Sequence, residues 1–205
     1  VGSLREDLPP GTFVVVDQFI DRTYARAKSF FGSGCVAHVP FDRPVSPGLS
    51  DVAAKALKAE DIPHVVGGTY VVMEGPQFST LAESNLHRSW GASVIGMTNM
   101  PEAKLAREAE LCYATVAMVT DFDAWHPEHA AVDVAQVLKT MQGNSALAKK
   151  FVLRLAAEFP RQHPPCPIGS DRALDFAIMT APEKRDQRVV NMLDAVAGRV
   201  LGGKR

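Results

Sequence analysis

Asp121 and Asp123 follow the apolar run Ala114–Thr120 and stand two residues apart. In an extended chain such residues share a face, so both carboxyl groups point to the same side. Two neighbouring carboxylates repel when both are ionised, and one of them then keeps its proton toward neutral pH. The pair can accept hydrogen bonds from an exocyclic amine while donating to a ring nitrogen. The plainer reading is a polar strand end, with Asp as turn former or helix cap. A metal reading has no further acidic cluster behind it.

A second tip, Met97–Thr98–Asn99, closes the run Ala92–Met97. Its amides and hydroxyl, just ahead of a helix over Pro101–Glu110, suit an anion or a sugar hydroxyl. A simple cap by Thr98 or Asn99 is the alternative. Phe78 and Ser79 lie beside this tip in the stretch Glu74–Ser79. The Phe78 ring can stack on a planar ligand or pack as core. His38 sits in Cys35–Pro40, read as a short strand, where a half-buried histidine with one satisfied nitrogen is the ordinary alternative. Together these residues suit a flat, amine-bearing heterocycle carried on a polyhydroxylated sugar.

The elements that must position them are read from periodicity. Ala92–Met97 and Ala114–Thr120 have the length and β-branched content of buried parallel strands, joined through the Pro101–Glu110 helix. Such a strand–helix–strand unit places ligands at the carboxyl ends of its strands. Upstream, Phe13–Asp17 reads as a strand, Ser50–Glu60 as a helix capped by Ser50 or Asp51, and His64–Glu74 as one long strand. Ser79 or Thr80, with Glu83, marks the start of a helix running to Trp90. Downstream, Val132–Phe159 has helical spacing with a break or kink at Gly143–Asn144, and Asp171–Met179 and Lys184–Leu201 read as two more helices. Strands alternating with helices give one α/β domain over residues 1–205, a central mixed β-sheet flanked by helices.

Composition sets the outer bounds. The 205 residues are 46% hydrophobic and 22% charged, with a formal net charge of -1. No basic footprint for nucleic acid is visible. No apolar run reaches the roughly 18–20 residues that cross a bilayer. Cys35, Cys112 and Cys166 are odd in number and far apart in the chain, which favours reduced thiols in a cytoplasm, with Cys112 packing as a small hydrophobe. The chain opens on Val-Gly-Ser rather than Met and reads like a fragment.

Several stretches resemble one family. GSLRE at Gly2–Glu6, DQFIDRT at Asp17–Thr23, EGPQFST at Glu74–Thr80, AES at Ala82–Ser84, WGA at Trp90–Ala92, GMTNMPEAKLARE at Gly96–Glu108 and TDFDAWH at Thr120–His126 are similar to the S-methyl-5'-thioadenosine phosphorylases, within the purine nucleoside phosphorylase superfamily. The match runs to about Lys149. The resemblance implies phosphorolysis of 5'-methylthioadenosine to adenine and 5-methylthioribose 1-phosphate by a homotrimer, with inorganic phosphate as co-substrate and no other cofactor. It implies that Asp121, Phe122 and Asp123 bind the base, with Asp121 stabilising protonated N7. It implies that Phe78 and Ser79 line the base, that Met97 holds the ribose and that Thr98 contacts phosphate. Val134 and Val137 would line a pocket for the methylthio group, with His38 close to it, and Ser79 and Val134 would set specificity. Family members also carry a front segment with a Gly-rich phosphate loop and an Arg-His pair, which this sequence does not contain, and Gly96 stands where some relatives have Asn. The alternatives are a methylthioinosine or general purine nucleoside phosphorylase, and a nucleoside-binding module without turnover.

Overall fold

A computed structural model describes residues 1–127 and 134–202, and for 134–137 the backbone only. Among these residues eight strands and six α-helices follow one another: β1 Gly2–Ser3, β2 Phe13–Val16, β3 Gln18–Asp21, α1 Pro47–Ala59, β4 His64–Val66, β5 Thr69–Val72, α2 Leu81–Ser89, β6 Val94–Gly96, α3 Glu102–Glu108, β7 Thr115–Met118, β8 Asp121–Phe122, α4 Val134–Glu158, α5 Gln187–Met192 and α6 Asp194–Leu201. The α/β reading holds. The strands form two sheets, ordered β3-β5-β6-β1-β8 and β4-β2-β7.

Three chain segments run from the smaller sheet into the larger, and this corrects the simpler strand assignments. His64–Val72 is not one strand, because Gly67 and Gly68 adopt φ of 89° and 146° and break it into β4 and β5. Opposite them, Asp17 separates β2 from β3. Its carboxylate accepts from the Gly68 amide at 3.0 Å, and its own amide donates to the Gly68 carbonyl. The run Ala114–Thr120 holds only β7, in the smaller sheet, and the chain passes on into β8 in the larger one.

The expected parallel unit is therefore overturned. β7 pairs antiparallel with β2, and β6 pairs parallel with β5. Between β6 and β8 lies the two-residue β1, antiparallel to β6 and parallel to β8, so β6 and β8 run in opposite directions. The site is built at adjacent strands rather than at two carboxyl ends of one parallel unit.

Other boundaries shift for local reasons. α1 starts at Pro47 rather than Ser50, because proline at the first turn gives up no needed N–H, and Ser46 stands at its N-cap position. α4 passes through Gly143–Asn144 without a break. There the Asn144 amide donates to the Val119 carbonyl at 2.9 Å, tying the helix to the strand edge. Cys35–Pro40 is no strand. It carries only the isolated bridges Gly32–Cys35 and Ala37–Ile178. Asp171–Met179 holds a single 3-10 turn, Ser170–Arg172, instead of a helix.

The all-buried FVVV of β2 sends alternate residues into two cores. Val14 and Val16 pack with Leu8, Tyr70, Val72 and Val94. Phe13 and Val15 pack with Ala53, Ala56, Leu57 and Phe151, joining α1 and α4. Leu57 is wholly buried there. Leu57→Ala should cost about 3 kcal/mol, the usual loss for an emptied leucine site, read as a lower urea midpoint with unchanged slope.

Candidate active site

β1 places the aspartate pair. Gly2 pairs with Ile95 on one side and Asp121 on the other, and the Asp123 amide donates to the Ser3 carbonyl at 2.9 Å. A Cβ on Gly2 would stand 3.4 Å from Asp123 Cβ and 3.6 Å from Asp121 Oδ2. Both carboxyl-bearing residues thus flank one bare glycine. Thr120 Oγ1 donates to Asp121 Oδ1 at 2.5 Å. Burial raises the Asp121 pKa, the Thr120 hydroxyl opposes the rise, and the neighbouring Asp123 charge adds to it. Asp123 is 7% exposed, and its Oδ2 has no hydrogen-bond partner among the described residues. A buried carboxylate oxygen without a donor is costly, and a ligand N–H is the natural group to fill the gap.

The turn after β8 is held rigid from behind. Phe122 stacks on His126 with centroids 4.4 Å apart, and Trp125 Nε1 donates to the Ser3 carbonyl at 2.8 Å. The Arg88 guanidinium sits 3.6 Å over the Trp125 ring and donates to the Leu4 carbonyl. Arg88 belongs to α2, which opens with a complete capping box between Thr80 and Glu83. The buried face of α2 carries Ser84 and His87, whose side chains include polar atoms without partners among the described residues. Burial lowers the His87 pKa while the Asp123 charge works to raise it, so this face of α2 lies within reach of Asp123.

Met97–Thr98–Asn99 is pinned by groups that periodicity did not single out. Thr98 is exposed, and its hydroxyl lies 3.1 Å from the buried Tyr70 hydroxyl. Asn99 turns the chain at φ 74°, with its Oδ1 accepting from the Tyr113 hydroxyl at 3.1 Å. A Cβ on Gly96 would run into the Tyr70 hydroxyl, so an Asn there requires Tyr70 to move. The helix that follows offers little to an anion: α3 has seven residues, starts at Glu102, and its Ala103 amide already donates to Asn99. The anion role read for this tip rests on Thr98 alone.

Arg26, in the loop after β3, is the clamp. Nε meets Glu74 Oε1 at 2.9 Å, NH1 donates to the Met97 and Met100 carbonyls at 2.8 and 2.5 Å, and NH2 to the Glu74 carbonyl at 2.9 Å. The amides of Ala25 and Tyr24, then Arg26, hold the Glu74 carboxyl down to about 2. The Met97 carbonyl is thus occupied by protein. Beside it, Gly75 adopts a left-handed φ of 71° that favours glycine, with Met97 Sδ packed over its bare face. No sequence signal marks such an arginine in a loop; its role emerges only when residues far apart in the chain meet.

The remaining candidates are placed as follows. Ser79 is half-buried, with its hydroxyl unpartnered among the described residues, and Phe78 is 73% exposed. His38 lines a separate groove with Lys28, Phe31, Phe41 and Lys104. The side chains of Val134 and Val137 lie outside the described residues. Among the described residues no group of three or more His, Cys, Asp or Glu is disposed for a metal, and no helix is long and apolar enough to cross a membrane.

Asp21 ties the neighbouring loop down, accepting from Lys104 and Lys28 at 2.5 and 3.0 Å and from Thr23. Burial pushes its pKa up, but these donors outweigh it and hold the carboxyl well below the usual carboxylate range. Its stabilisation is present above that range and is lost as pH falls below it. Asp21→Asn should therefore lower the Tm at pH 7, and the gap to the parent should close in acid, as followed by circular dichroism.

Comparison with known proteins points to one family. A family model described as "Phosphorylase superfamily" matches residues 1–157. The chain is 64% identical to the S-methyl-5'-thioadenosine phosphorylase of Bradyrhizobium diazoefficiens, over 98% of this chain and 69% of that protein. It is 60% identical to the protein of that name from Cereibacter sphaeroides, over 98% of this chain and 70% of the relative. Among solved structures, a methylthioadenosine phosphorylase from an antarctic soil metagenomic library superposes with a TM-score of 0.88 at 41% identity, covering 95% of this chain and 68% of that one. Methylthioadenosine phosphorylase from Schistosoma mansoni in complex with adenine gives 0.75 at 35% identity, covering 79% and 63%.

Proposed function

The chain belongs to the phosphorylase superfamily, and from that membership we propose that it cleaves 5'-methylthioadenosine with inorganic phosphate, giving adenine and 5-methylthioribose 1-phosphate. Among site features, the aspartate pair over Gly2 carries the reading: one carboxyl raised by burial, the other with a buried oxygen awaiting a donor.

The chemistry follows from charge. As the glycosidic bond breaks, the sugar becomes oxocarbenium-like and the base gathers negative charge. Asp121, whose proton affinity burial raises, gives a proton to N7 or holds one there, so adenine departs neutral. Asp123 Oδ2 accepts from the 6-amino group. Phe78 covers the ring face, Ser79 lines the base edge, and the Met97 turn meets the ribose. Thr98 donates to phosphate, which attacks C1' and offsets the sugar's positive charge. The methylthio group is assigned to Val134, Val137 and His38, since apolar side chains accept a thioether and leave a 5'-hydroxyl without a partner. Phosphate is the co-substrate, and no metal or organic cofactor takes part.

Incubation of the chain with 5'-methylthioadenosine tests this. Adenine release that requires phosphate is expected. Binding without release, at an affinity indifferent to phosphate, overturns the enzyme in favour of a nucleoside-binding module. Thr98→Val should raise the KM for phosphate about tenfold with a smaller change for the nucleoside, as expected for one lost hydrogen bond to a charged ligand. We also place the protein in the cytoplasm, in methionine salvage, as a homotrimer. Large apolar side chains left in water, with Phe176 94% exposed and Tyr24 and Met192 close behind, support self-association. Light scattering is expected to give three times the 22.1 kDa chain mass.

A further inference from the structure

Two cysteines that are remote in sequence meet away from the aspartate pair. Cys166 Sγ lies 3.8 Å from the Ser46 hydroxyl, and the Cys112 thiol is close enough to interact with both that hydroxyl and Cys166. Cys166 sits at the mouth of a tight turn. The Gly169 amide donates to its carbonyl at 2.9 Å, and the Ile168 and Ser170 amides with the Ser170 hydroxyl gather around its sulfur. Burial pushes the Cys166 thiol up, but these donors outweigh it and bring it down to about 7, whereas burial and the adjacent sulfur push Cys112 up. The buried Arg107 guanidinium lies close enough to interact with both. Both thiols are half-exposed, whereas Cys35 is buried. An acidic, reachable thiol beside a second thiol is the arrangement of a redox-active pair, and a structural cysteine has no use for it.

We propose that Cys166 and Cys112 form a peroxide-reactive dithiol site that closes reversibly to a disulfide. The Cys166 thiolate attacks one oxygen of hydrogen peroxide. The O–O bond breaks, hydroxide leaves, and Cys166 becomes a sulfenic acid. Cys112, as its thiolate, then attacks the Cys166 sulfur. The S–O bond breaks, and the hydroxyl leaves as water with the Cys112 proton. Two electrons pass from the two thiols to peroxide, and a dithiol reductant returns them. The new bond ties the segment carrying α5 and α6 to the strand entry at Cys112. From there Tyr113 and Thr115 reach Asn99 Oδ1.

The test uses the folded chain. After peroxide at pH 7, non-reducing peptide mapping should find Cys112 linked to Cys166, with Cys35 unmodified and the link removed by dithiothreitol. Before peroxide, iodoacetamide at pH 7 should label Cys166 at least tenfold faster than Cys112, because thiolate is the reactive form. In Cys112→Ser, dimedone should trap the Cys166 sulfenic acid. A map in which peroxide modifies Cys35 first, or leaves Cys112 and Cys166 unlinked, overturns the proposal. So does equal labelling of the two thiols. The wild-type map decides the matter even where a variant fails to fold.

Discussion

Asp121→Asn is expected to lower kcat/KM for 5'-methylthioadenosine by about 10²–10⁴-fold, the usual worth of a positioned proton donor. The amide keeps the shape of the carboxyl and its place beside Gly2, so the fold should survive. What it loses is a titratable carboxyl whose proton affinity burial raises. It also presents an N–H where the carboxyl could accept, which favours a base carrying a 6-oxo group. The ratio of inosine-type to adenosine-type turnover should therefore rise. The pH profile supplies a second check. In the parent, kcat should fall as pH rises through the elevated Asp121 value, and the variant should lack that limb. Unchanged selectivity for 6-aminopurines in the variant would sink the role given to Asp121.

Arg26→Met should be nearly as damaging for a different reason. Arg26 touches no reacting atom in this scheme; it positions the loops that do. Its removal leaves the Glu74 carboxylate and the Met97 and Met100 carbonyls short of donors. The ion pair is partly exposed, so the stability loss should stay below that of a fully buried pair and be read as a modestly lower urea midpoint. The freed Met97 turn shifts, and a displacement near 1 Å at a positioning loop costs about 100-fold in kcat/KM. Arg26→Lys restores charge but cannot make the forked contacts, so it should recover stability better than turnover. Urea denaturation and steady-state kinetics on both variants separate the two effects. Full activity in a folded Arg26→Met protein would show that the clamp is only structural.

Much of the local architecture is legible from residues that are close in sequence. The Thr80–Glu83 capping box, the buried FVVV strand and the helical spacing after 134 are short-range patterns with short-range causes. The Asp121/Asp123 pair is legible for the same reason: alternation in an extended chain is a local property. The family resemblance is carried by such short stretches.

What the sequence alone could not supply depends on residues brought together from far apart. β1 is two residues long, too short for any periodicity, yet it sets the aspartate pair against β6 and reverses the strand directions assumed from the pattern. The bends at Asp17 and Gly67–Gly68 decide that one apolar segment serves two sheets. Arg26 becomes a clamp, and Cys112 a neighbour of Cys166, only through contacts that fold closure creates. Sequence determined which residues carry the chemistry, because residue type is chemistry. Tertiary structure decided which of them are dry, which are partnered and which face each other, because burial and hydrogen bonding belong to the packed chain.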